Sequence, residues 1–305
     1  MSKLPLAPDY LTTAQVAEAL GIGVSTVKRW VEDGILPATK TAGGHRKLLL
    51  ADVVEAARRN DLPVPDLARL TASVAKSREL KPDAMSAALY QSLLEGNSRQ
   101  VRAVVQGAYH AGMPIETLAD QLVAPAMHRI GTDWERGRID VMHEHRASQL
   151  CASALYELKE ILERRARLKR PIAVGAAMEG DYSVLPSLLS QMVLIDADWD
   201  AVDLGPNTPL NSLARAIAEL APRLVWLTVG HPVDETYFRR TYKPLYQRAQ
   251  KAGAALVVGG RALTESMRAA IPYTAYGDRL THLAAFARTL HPRPKRPKRG
   301  RPAKS

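Results

Sequence analysis

Apolar residues recur at helical spacing near the start of the chain and predict a small helical unit over residues 1–60. In LTTAQVAEALG, Val16 and Leu20 stand four positions apart, so both lie on one face of a helix that Thr12 or Thr13 begins as its N-cap. A glycine-containing turn follows, and the next run, STVKRWVEDG, again has the spacing of a helix. The pattern therefore predicts two short helices joined by a tight turn.

The second helix is expected to begin with Ser25 as its cap, to end at Gly34 and to turn Val24, Val27 and Val31 towards the interior. The next run, ILPATKTAGGHRKLLL, is too short and too rich in glycine for a helix and predicts a two-stranded wing. A closing helix is predicted in LADVVEAARRN. Helix, turn, helix and wing in this order are typical of a winged helix-turn-helix domain.

The middle of the chain predicts helices without strands. Residues 61–81, stiffened by two prolines, are expected to form a linker. Residues 82–168 contain four amphipathic segments with glycine-containing turns between them: DAMSAALYQSLLEG, SRQVRAVVQGAYHAG, PIETLADQLVAPAMHRIGTDWERG and DVMHEHRASQLCASALYELKEILERRARL. Four helices joined by short turns predict an antiparallel four-helix bundle.

The period of the pattern changes over residues 170–290. Five short apolar or β-branched runs are each followed by a loop and a helical pattern: PIAVGAAM, WDAVDLG, RLVWLTVG, AALVVGG and PYTAYG. This alternation predicts a five-stranded parallel α/β domain of flavodoxin-like (Rossmann-like) type, in which ligands bind at the carboxyl ends of the strands. The predicted fold class is therefore multidomain, α and α/β, with a basic tail over residues 291–305.

Composition excludes several classes of protein. The 305 residues are 46% hydrophobic and 24% charged, and no apolar run reaches the about 20 residues needed to cross a bilayer. The N-terminus lacks the apolar stretch of a signal peptide. The lone cysteine, Cys151, excludes an internal disulfide and is expected to be buried. We therefore expect a cytoplasmic protein without a membrane partner.

The net charge of +11 is concentrated at the C-terminus, where PRPKRPKRGRPAK holds seven Lys or Arg and no acid. Such a tail is expected to be disordered in isolation and to bind a polyanion. Within it, KRGRP resembles the core of an AT-hook, in which Arg299 and Arg301 reach the floor of an A/T-rich minor groove. The alternative is a basic tail that adds only non-specific attraction to DNA.

The N-terminal unit carries side chains suited to DNA in its second helix and in its wing. The strings STVKRWVEDGIL and GGHR resemble the DNA-binding domain of MerR-type regulators and imply a double-stranded operator as partner. The alternative for the wing is a basic, solvated hairpin. The residues expected at the DNA are Ser25, Thr26, Lys28 and Arg29 in the helix, and Lys40, Thr41, Gly44, His45 and Arg46 in the wing.

The stretch DWERGRIDVMHEHRASQL, residues 133–150, has three interpretations. A zinc site is disfavoured, because residues 143 and 145 lie roughly 200° apart around a helix and cannot chelate one ion. A solvated helix face is the second interpretation. The third comes from a resemblance: a four-helix bundle before a flavodoxin-like domain resembles the cobalamin-binding module of cobalamin-dependent methionine synthase. Behind a MerR-type domain, the module resembles that of the CarH/LitR light-responsive regulators.

In that family a Trp, nine intervening residues and Glu-His cover the upper face of the corrin. Trp134, Glu144 and His145 have that spacing here, with Val141 in the small-residue position before them. The resemblance implies that adenosylcobalamin binds in the dark, that a tetramer represses transcription, and that light breaks the cobalt–carbon bond. It further implies that Trp134 stacks on the adenosyl group, that Glu144 accepts hydrogen bonds from it, and that His145 then ligates cobalt.

The sequence departs from this family below the corrin. The family's lower cobalt ligand is a histidine in an E/D-x-H-x-x-G loop, but MEGDYSVLPSLL places Tyr182 at or beside that position, and residues 146–230 contain no histidine. Thr228 stands where a Ser or Thr lines the channel for the nucleotide tail, and Gly259-Gly260 matches a GG turn. Three outcomes stay open: cobalamin without a lower protein ligand, another tetrapyrrole such as haem on the upper histidine, or loss of the cofactor.

These features together predict a DNA-binding transcriptional regulator, a repressor, that senses a cobalamin-type cofactor with light as a candidate signal. A homo-oligomer, dimer or tetramer, is expected. One alternative is a haem-type or cofactor-free sensor module on the same DNA-binding head. Another is a cobalamin-dependent methyl carrier, which is disfavoured because such a protein needs a catalytic partner and gains nothing from a DNA-reading head. With no convincing nucleophile, metal motif or phosphate loop, the chain is not expected to be an enzyme.

Overall fold

The computed structural model describes most of the chain, namely residues 10–40, 46–49, 52–53, 56, 82–164 and 169–292. The chain divides into two compact units, with the N-terminal helices in the first and the whole α/β domain in the second. The predicted linker (61–81) and residues 293–305 of the predicted tail lie outside the described residues.

The N-terminal part contains a three-stranded antiparallel sheet in the order β1-β3-β2. Its elements are β1 (Tyr10–Thr12), α1 (Thr13–Leu20), α2 (Val24–Glu32), β2 (Thr39–Lys40) and β3 (Arg46–Leu49). The hairpin of β2 and β3 is the predicted wing. The pattern did not predict β1, because three residues are too few for a periodic signal. The strand forms by pairing with β3, which sets Leu11 opposite Leu48 and buries both.

Caps decide where the two helices begin. Thr12 is the N-cap of α1, and its hydroxyl accepts a hydrogen bond from the Gln15 amide (3.3 Å) while the Gln15 side chain accepts one from the Thr12 amide (2.7 Å). The predicted cap of α2 was wrong. This helix begins at Val24 with Gly23 as its N-cap and without a side-chain cap, so Ser25 lies inside the first turn.

The core of this part confirms two of the three inward valines. Val27 is fully buried with Val16 and Leu36, and Val31 packs against the same cluster. Val24, by contrast, is 39% exposed, so the inward orientation expected for it was wrong. It stands at the N-terminal end of a nine-residue helix, beyond the apolar cluster.

The four segments predicted as helices in the middle of the chain are helical. They are α3 (Pro82–Glu95), α4 (Ser98–His110), a segment made of α5 (Ile115–Thr117), a π-helical turn (Leu118–Val123) and α6 (Ala124–Glu135), and α7 (Val141–Arg164). Pro125, which has no amide hydrogen to donate, is the second residue after the π-helical turn. Cys151 is buried in α7, as expected, and burial raises the pKa of its thiol to about 12.

The C-terminal part is an α/β domain with five strands in the order β5-β4-β6-β7-β8, every neighbouring pair parallel. Its elements are β4 (Ile172–Ala177), α8 (Val184–Asp196), β5 (Asp200–Asp203), α9 (Leu210–Leu220), β6 (Leu224–Thr228), α10 (Glu235–Lys251), β7 (Ala255–Gly259), α11 (Glu265–Ala269), β8 (Ala275–Gly277) and α12 (Leu280–Leu290). This is the flavodoxin-like strand order. The predicted fold class is thereby confirmed.

The two faces of this sheet are covered by different helices. Alternate residues of β6, such as Val225 and Leu227, join a core with Phe238 and Tyr242 of α10. The other face packs against α8, whose residues 187–195 are all buried. Asp120 of the π-helical turn joins the helical region to this domain, because it accepts hydrogen bonds from the first amides of α12. In the described part of the chain, no helix is both long and apolar enough to cross a membrane.

Candidate functional site

The outer face of α2 is free for contact. Ser25, Lys28 and Arg29 are exposed and Thr26 is partly exposed, while Val27 on the opposite face is buried. The fold therefore presents the four polar residues expected at the major groove from one short helix. A helix whose inner face is anchored in the core can place its outer face in a major groove.

The wing is only partly described. Arg46 at the start of β3 is bound to α2, where its guanidinium lies 2.7 Å from the Glu32 carboxylate. It thus braces the wing against α2, an interaction that sequence reasoning missed. Lys40 ends β2. The other residues expected at the DNA lie outside the described residues: Thr41, Gly44, His45, Arg299 and Arg301.

The upper-face residues predicted for the cofactor lie at the α6–α7 elbow (residues 133–146). Trp134 is in the last turn of α6 and is 46% exposed, although an indole of this size is usually covered. Val141 and Met142 begin α7 and are 41% and 60% exposed. Several exposed apolar side chains so close in sequence are typical of a surface that a ligand or partner covers.

The elbow is held by a buried carboxylate next to Trp134. Asp133 accepts a hydrogen bond from the Tyr90 hydroxyl (2.7 Å) and one from Arg138 (2.9 Å). The bond from Tyr90, followed by that from Arg138, lowers the pKa of Asp133. Burial, and then the same bond, raises the pKa of Tyr90. Asp133 therefore stays ionised and fixes the end of α6 that carries Trp134.

Glu144 and His145 lie in the first turns of α7. One Glu144 oxygen accepts a hydrogen bond from Ser148 (2.9 Å), and the other lies 3.7 Å from Nε2 of His145. The His145 side chain is 73% exposed. The neighbouring His143 accepts a hydrogen bond from the Asp140 amide at the helix start (3.2 Å).

Arg146 ties the start of α7 to the end of α3. Its guanidinium donates to the Leu94 carbonyl (2.7 Å) and covers Gly96. A Cβ at Gly96 would lie 2.9 Å from the Arg146 guanidinium carbon, and φ there is +74°, so a side chain at this turn would strain the backbone and displace the guanidinium. Both helices of the elbow are therefore anchored to α3: α6 by the bond between Asp133 and Tyr90, and α7 by the bond between Arg146 and the Leu94 carbonyl.

The loop after β4 carries Tyr182, which is 74% exposed, as expected for a side chain at the carboxyl end of the sheet. The loop is fixed by its neighbour Asp181, a buried residue that sequence reasoning missed. One Asp181 oxygen accepts from the Gly230 amide (2.6 Å) and the other from the Ser183 amide (3.0 Å). Its position between Gly180 and Ser183 in a post-strand loop was the available signal.

Thr228 and the Gly259-Gly260 pair meet where β6 and β7 end, with Thr228 opposite Gly259. Thr228 is buried, and its hydroxyl lies 3.5 Å from the Ala176 carbonyl. A Cβ at Gly260, whose φ is +117°, would lie 2.3 Å from the Val229 carbonyl oxygen, and one at Gly259 would lie 2.6 Å from that of Gly277. Packing of the strand ends alone therefore demands both glycines.

These residues fit a corrinoid on one side only. The elbow offers an exposed indole, a carboxylate acceptor and an exposed imidazole, which suit an upper ring face. Below, Tyr182 brings no nitrogen ligand, and the sheet interior beside Thr228 is filled by protein. The donor set does not fit a corrinoid whose lower ligand comes from the β4 loop.

Two family models match the chain. A model described as a helix-turn-helix domain matches residues 10–61, and one described as a B12 binding domain matches residues 85–159. The chain therefore combines an N-terminal helix-turn-helix domain with a helical region similar to B12 binding domains.

The curated relatives fall into two kinds. The chain is 21% identical over 203 residues to a dimethylamine corrinoid protein of Methanosarcina barkeri, across 66% of this chain and 95% of that protein. It is 24% identical over 273 residues to the HTH-type transcriptional repressor CarH of Myxococcus xanthus, across 81% of this chain and 87% of that protein. The solved structure of a Methanosarcina barkeri monomethylamine corrinoid protein superposes with a TM-score of 0.57 at 15% identity, across 69% of this chain and all of that one, and shows a shared fold.

Proposed function

We propose that this chain is a DNA-binding transcriptional regulator of MerR type, a repressor, whose C-terminal module, the helical region with the α/β domain, binds a corrinoid at the α6–α7 elbow. The observation that carries the proposal is the exposed Trp134 at a rigid elbow, in a chain that begins with a helix-turn-helix. A regulator needs both a DNA-reading surface and a separate surface for its effector. A corrinoid carrier needs only the second.

The residues at the elbow have distinct roles in this proposal. Trp134 provides an apolar face for the ligand, Glu144 an acceptor oxygen and His145 an imidazole nitrogen for cobalt. Tyr90, through Asp133, is a positioning residue for the indole. When bound, adenosylcobalamin supplies a cobalt–carbon bond that light breaks, which makes light the signal in this proposal.

Two finer features belong to the same proposal. The regulator acts as a homo-oligomer, a dimer or tetramer, so that two DNA-binding heads contact a double-stranded operator. The basic tail extends the contact along an A/T-rich minor groove through Arg299 and Arg301. Removal of the tail is expected to reduce the dependence of operator binding on salt concentration.

Cofactor binding is tested by incubating the full chain with adenosylcobalamin in darkness and separating bound from free corrinoid by gel filtration. Trp134→Ala, in α6, is expected to lose co-eluting corrinoid, whereas Tyr156→Ala, which removes an exposed aromatic side chain from α7, is not. A wild-type protein that elutes colourless would refute corrinoid binding. A light-induced change in the elution volume of the loaded protein tests the signal.

DNA binding is tested by gel shift with operator fragments selected from random sequence. Arg29→Ala is expected to weaken binding by about 1–3 kcal/mol if the side chain reads a base. Arg164→Ala removes an exposed arginine of α7 and serves as the control. Equal binding by wild type and Arg29→Ala would contradict the groove assignment.

A corrinoid methyl carrier is the second candidate, favoured by the match to nearly the full length of a dimethylamine corrinoid protein. A carrier accepts a methyl group on its corrinoid and binds no operator. A regulator that uses haem, or no cofactor, is favoured by the missing lower histidine and by the exposed His145. A haem absorption band lost in His145→Ala would support the haem form, and operator release by a protein partner alone would support the cofactor-free form.

A further inference from the structure

Trp226 lies in the middle of β6, on the sheet face that α8 covers. Its cross-strand neighbour in β4 is Gly175, and Thr228 follows two residues later on the same face. Because side chains alternate along a strand, Trp226 and Thr228 point to one side, and Val225 and Leu227 point to the core on the other.

The indole occupies the space above Gly175. A Cβ at that glycine would lie 2.0 Å from Cδ2 of Trp226 and 2.3 Å from Cε2, a distance that no pair of non-bonded carbons adopts. The missing side chain at Gly175 therefore leaves the space that the Trp226 indole occupies. Trp226 is 2% exposed, so the fit is nearly complete.

A chain of hydrogen bonds locks the indole in place. Its Nε1 donates to the Ser187 hydroxyl of α8 (3.0 Å), and that hydroxyl donates to the Asp203 carboxylate at the end of β5 (2.6 Å). The same carboxylate oxygen accepts from the Gly205 amide (3.0 Å). The polar atoms at this face thus bond one another, and the neighbouring Gln191 of α8 donates to the Ala201 carbonyl (2.8 Å).

We propose that Trp226 closes the interior of the α/β domain, so that a corrinoid is held by its ring face and its nucleotide tail stays outside. The inference rests on the proposed function and deepens it. Thr228, which the family resemblance places beside the tail, is buried next to the indole on the same face. The planar indole fills the space beside Thr228 on this face, and its only polar atom is bonded to α8.

The test compares two corrinoids that differ in the tail. Cobalamin carries the nucleotide and cobinamide lacks it. Equilibrium dialysis of the full chain against each is expected to give dissociation constants within about threefold of each other, because a tail outside the protein adds no contacts. A tail bound inside would tighten cobalamin binding by about tenfold for every 1.4 kcal/mol of contact energy. Cobalamin that binds the wild type more than about tenfold more tightly than cobinamide overturns the proposal.

Variants of Trp226 test whether its side chain is what excludes the tail. Trp226→Gly opens the space above Gly175 and is expected to shift the preference towards cobalamin by about tenfold or more. Trp226→Phe keeps a ring there without the bond to Ser187 and is expected to keep the wild-type ratio. If circular dichroism shows that Trp226→Gly is unfolded, Trp226→Leu, which removes part of the side-chain volume, takes its place. A folded opened variant that keeps the wild-type ratio contradicts the proposal.

Failure of the proposed function has a different signature. If neither corrinoid binds the wild type, the proposed effector is wrong. Closure of the domain by Trp226 is then tested by the opened variant alone. Cobalamin binding that appears in Trp226→Gly or Trp226→Leu then supports closure by Trp226. Absence of binding in the opened, folded variant overturns it.

Discussion

Replacing Asp120 by alanine is expected to destabilise the second unit without touching the candidate site. This carboxylate lies in the π-helical turn, and its two oxygens accept from the amides of Leu280 and Thr281, each at 2.9 Å. Those amides begin α12, whose own N-cap, Arg279, makes no side-chain cap bond. Asp120 therefore serves as the cap of a helix about 160 residues away in sequence.

The size of the effect follows from the two bonds. Loss of an N-cap side chain costs about 0.5–2 kcal/mol, and the negative charge adds about 0.3–1 kcal/mol against the helix dipole. Because Asp120→Ala leaves two amides without an acceptor, we expect a loss near the top of the N-cap range, about 2 kcal/mol. Asp120→Asn retains one acceptor oxygen and is expected to lose about half as much.

Urea unfolding followed by far-ultraviolet circular dichroism measures these differences as shifts in the midpoint at constant slope. Gln121→Ala, which removes an exposed polar side chain from the same turn, is the matched control and is expected to change stability little. A loss below about 0.5 kcal/mol for Asp120→Ala would refute the argument that this carboxylate caps α12.

Three further outcomes are expected. Glu32→Gln frees Arg46 and removes a negative charge beside the wing, so operator affinity in gel shifts should rise, while stability falls by no more than about 1 kcal/mol. Trp134→Ala should leave the melting temperature unchanged because the indole is half exposed, and should abolish corrinoid retention. Burial raises the pKa of Asp203 above 3.8, so the folded state holds that proton more tightly than the unfolded state, and stability is lost as pH rises through the folded pKa. Asp203→Asn keeps an acceptor for Ser187, so its stability in urea unfolding should equal or exceed that of the wild type at pH 7. Near pH 3, where the wild-type carboxyl is protonated, the variant should lose that advantage.

The candidate site divides between residues that a pattern reveals and residues that it does not. Trp134, Glu144 and His145 were found because their spacing along the chain is itself the signal. Asp133 and Asp181 were missed because their bonds to Tyr90 and Gly230 join positions about 40 and 50 residues apart. Only Asp181 has a local signal, its place in a loop after a strand, and that signal does not identify the distant amide it binds.

The sequence by itself predicted the order of the main helices and strands, the parallel sheet, and an N-cap of α1 at Thr12 or Thr13. Those features follow from local periodicity and from bonds within one turn of chain. Only the tertiary structure decided that a three-residue strand forms at Tyr10–Thr12, that Arg46 pairs with Glu32, and that Trp226 fills the space left by Gly175. Each of these depends on a partner distant in sequence, whose position exists only after the chain has folded.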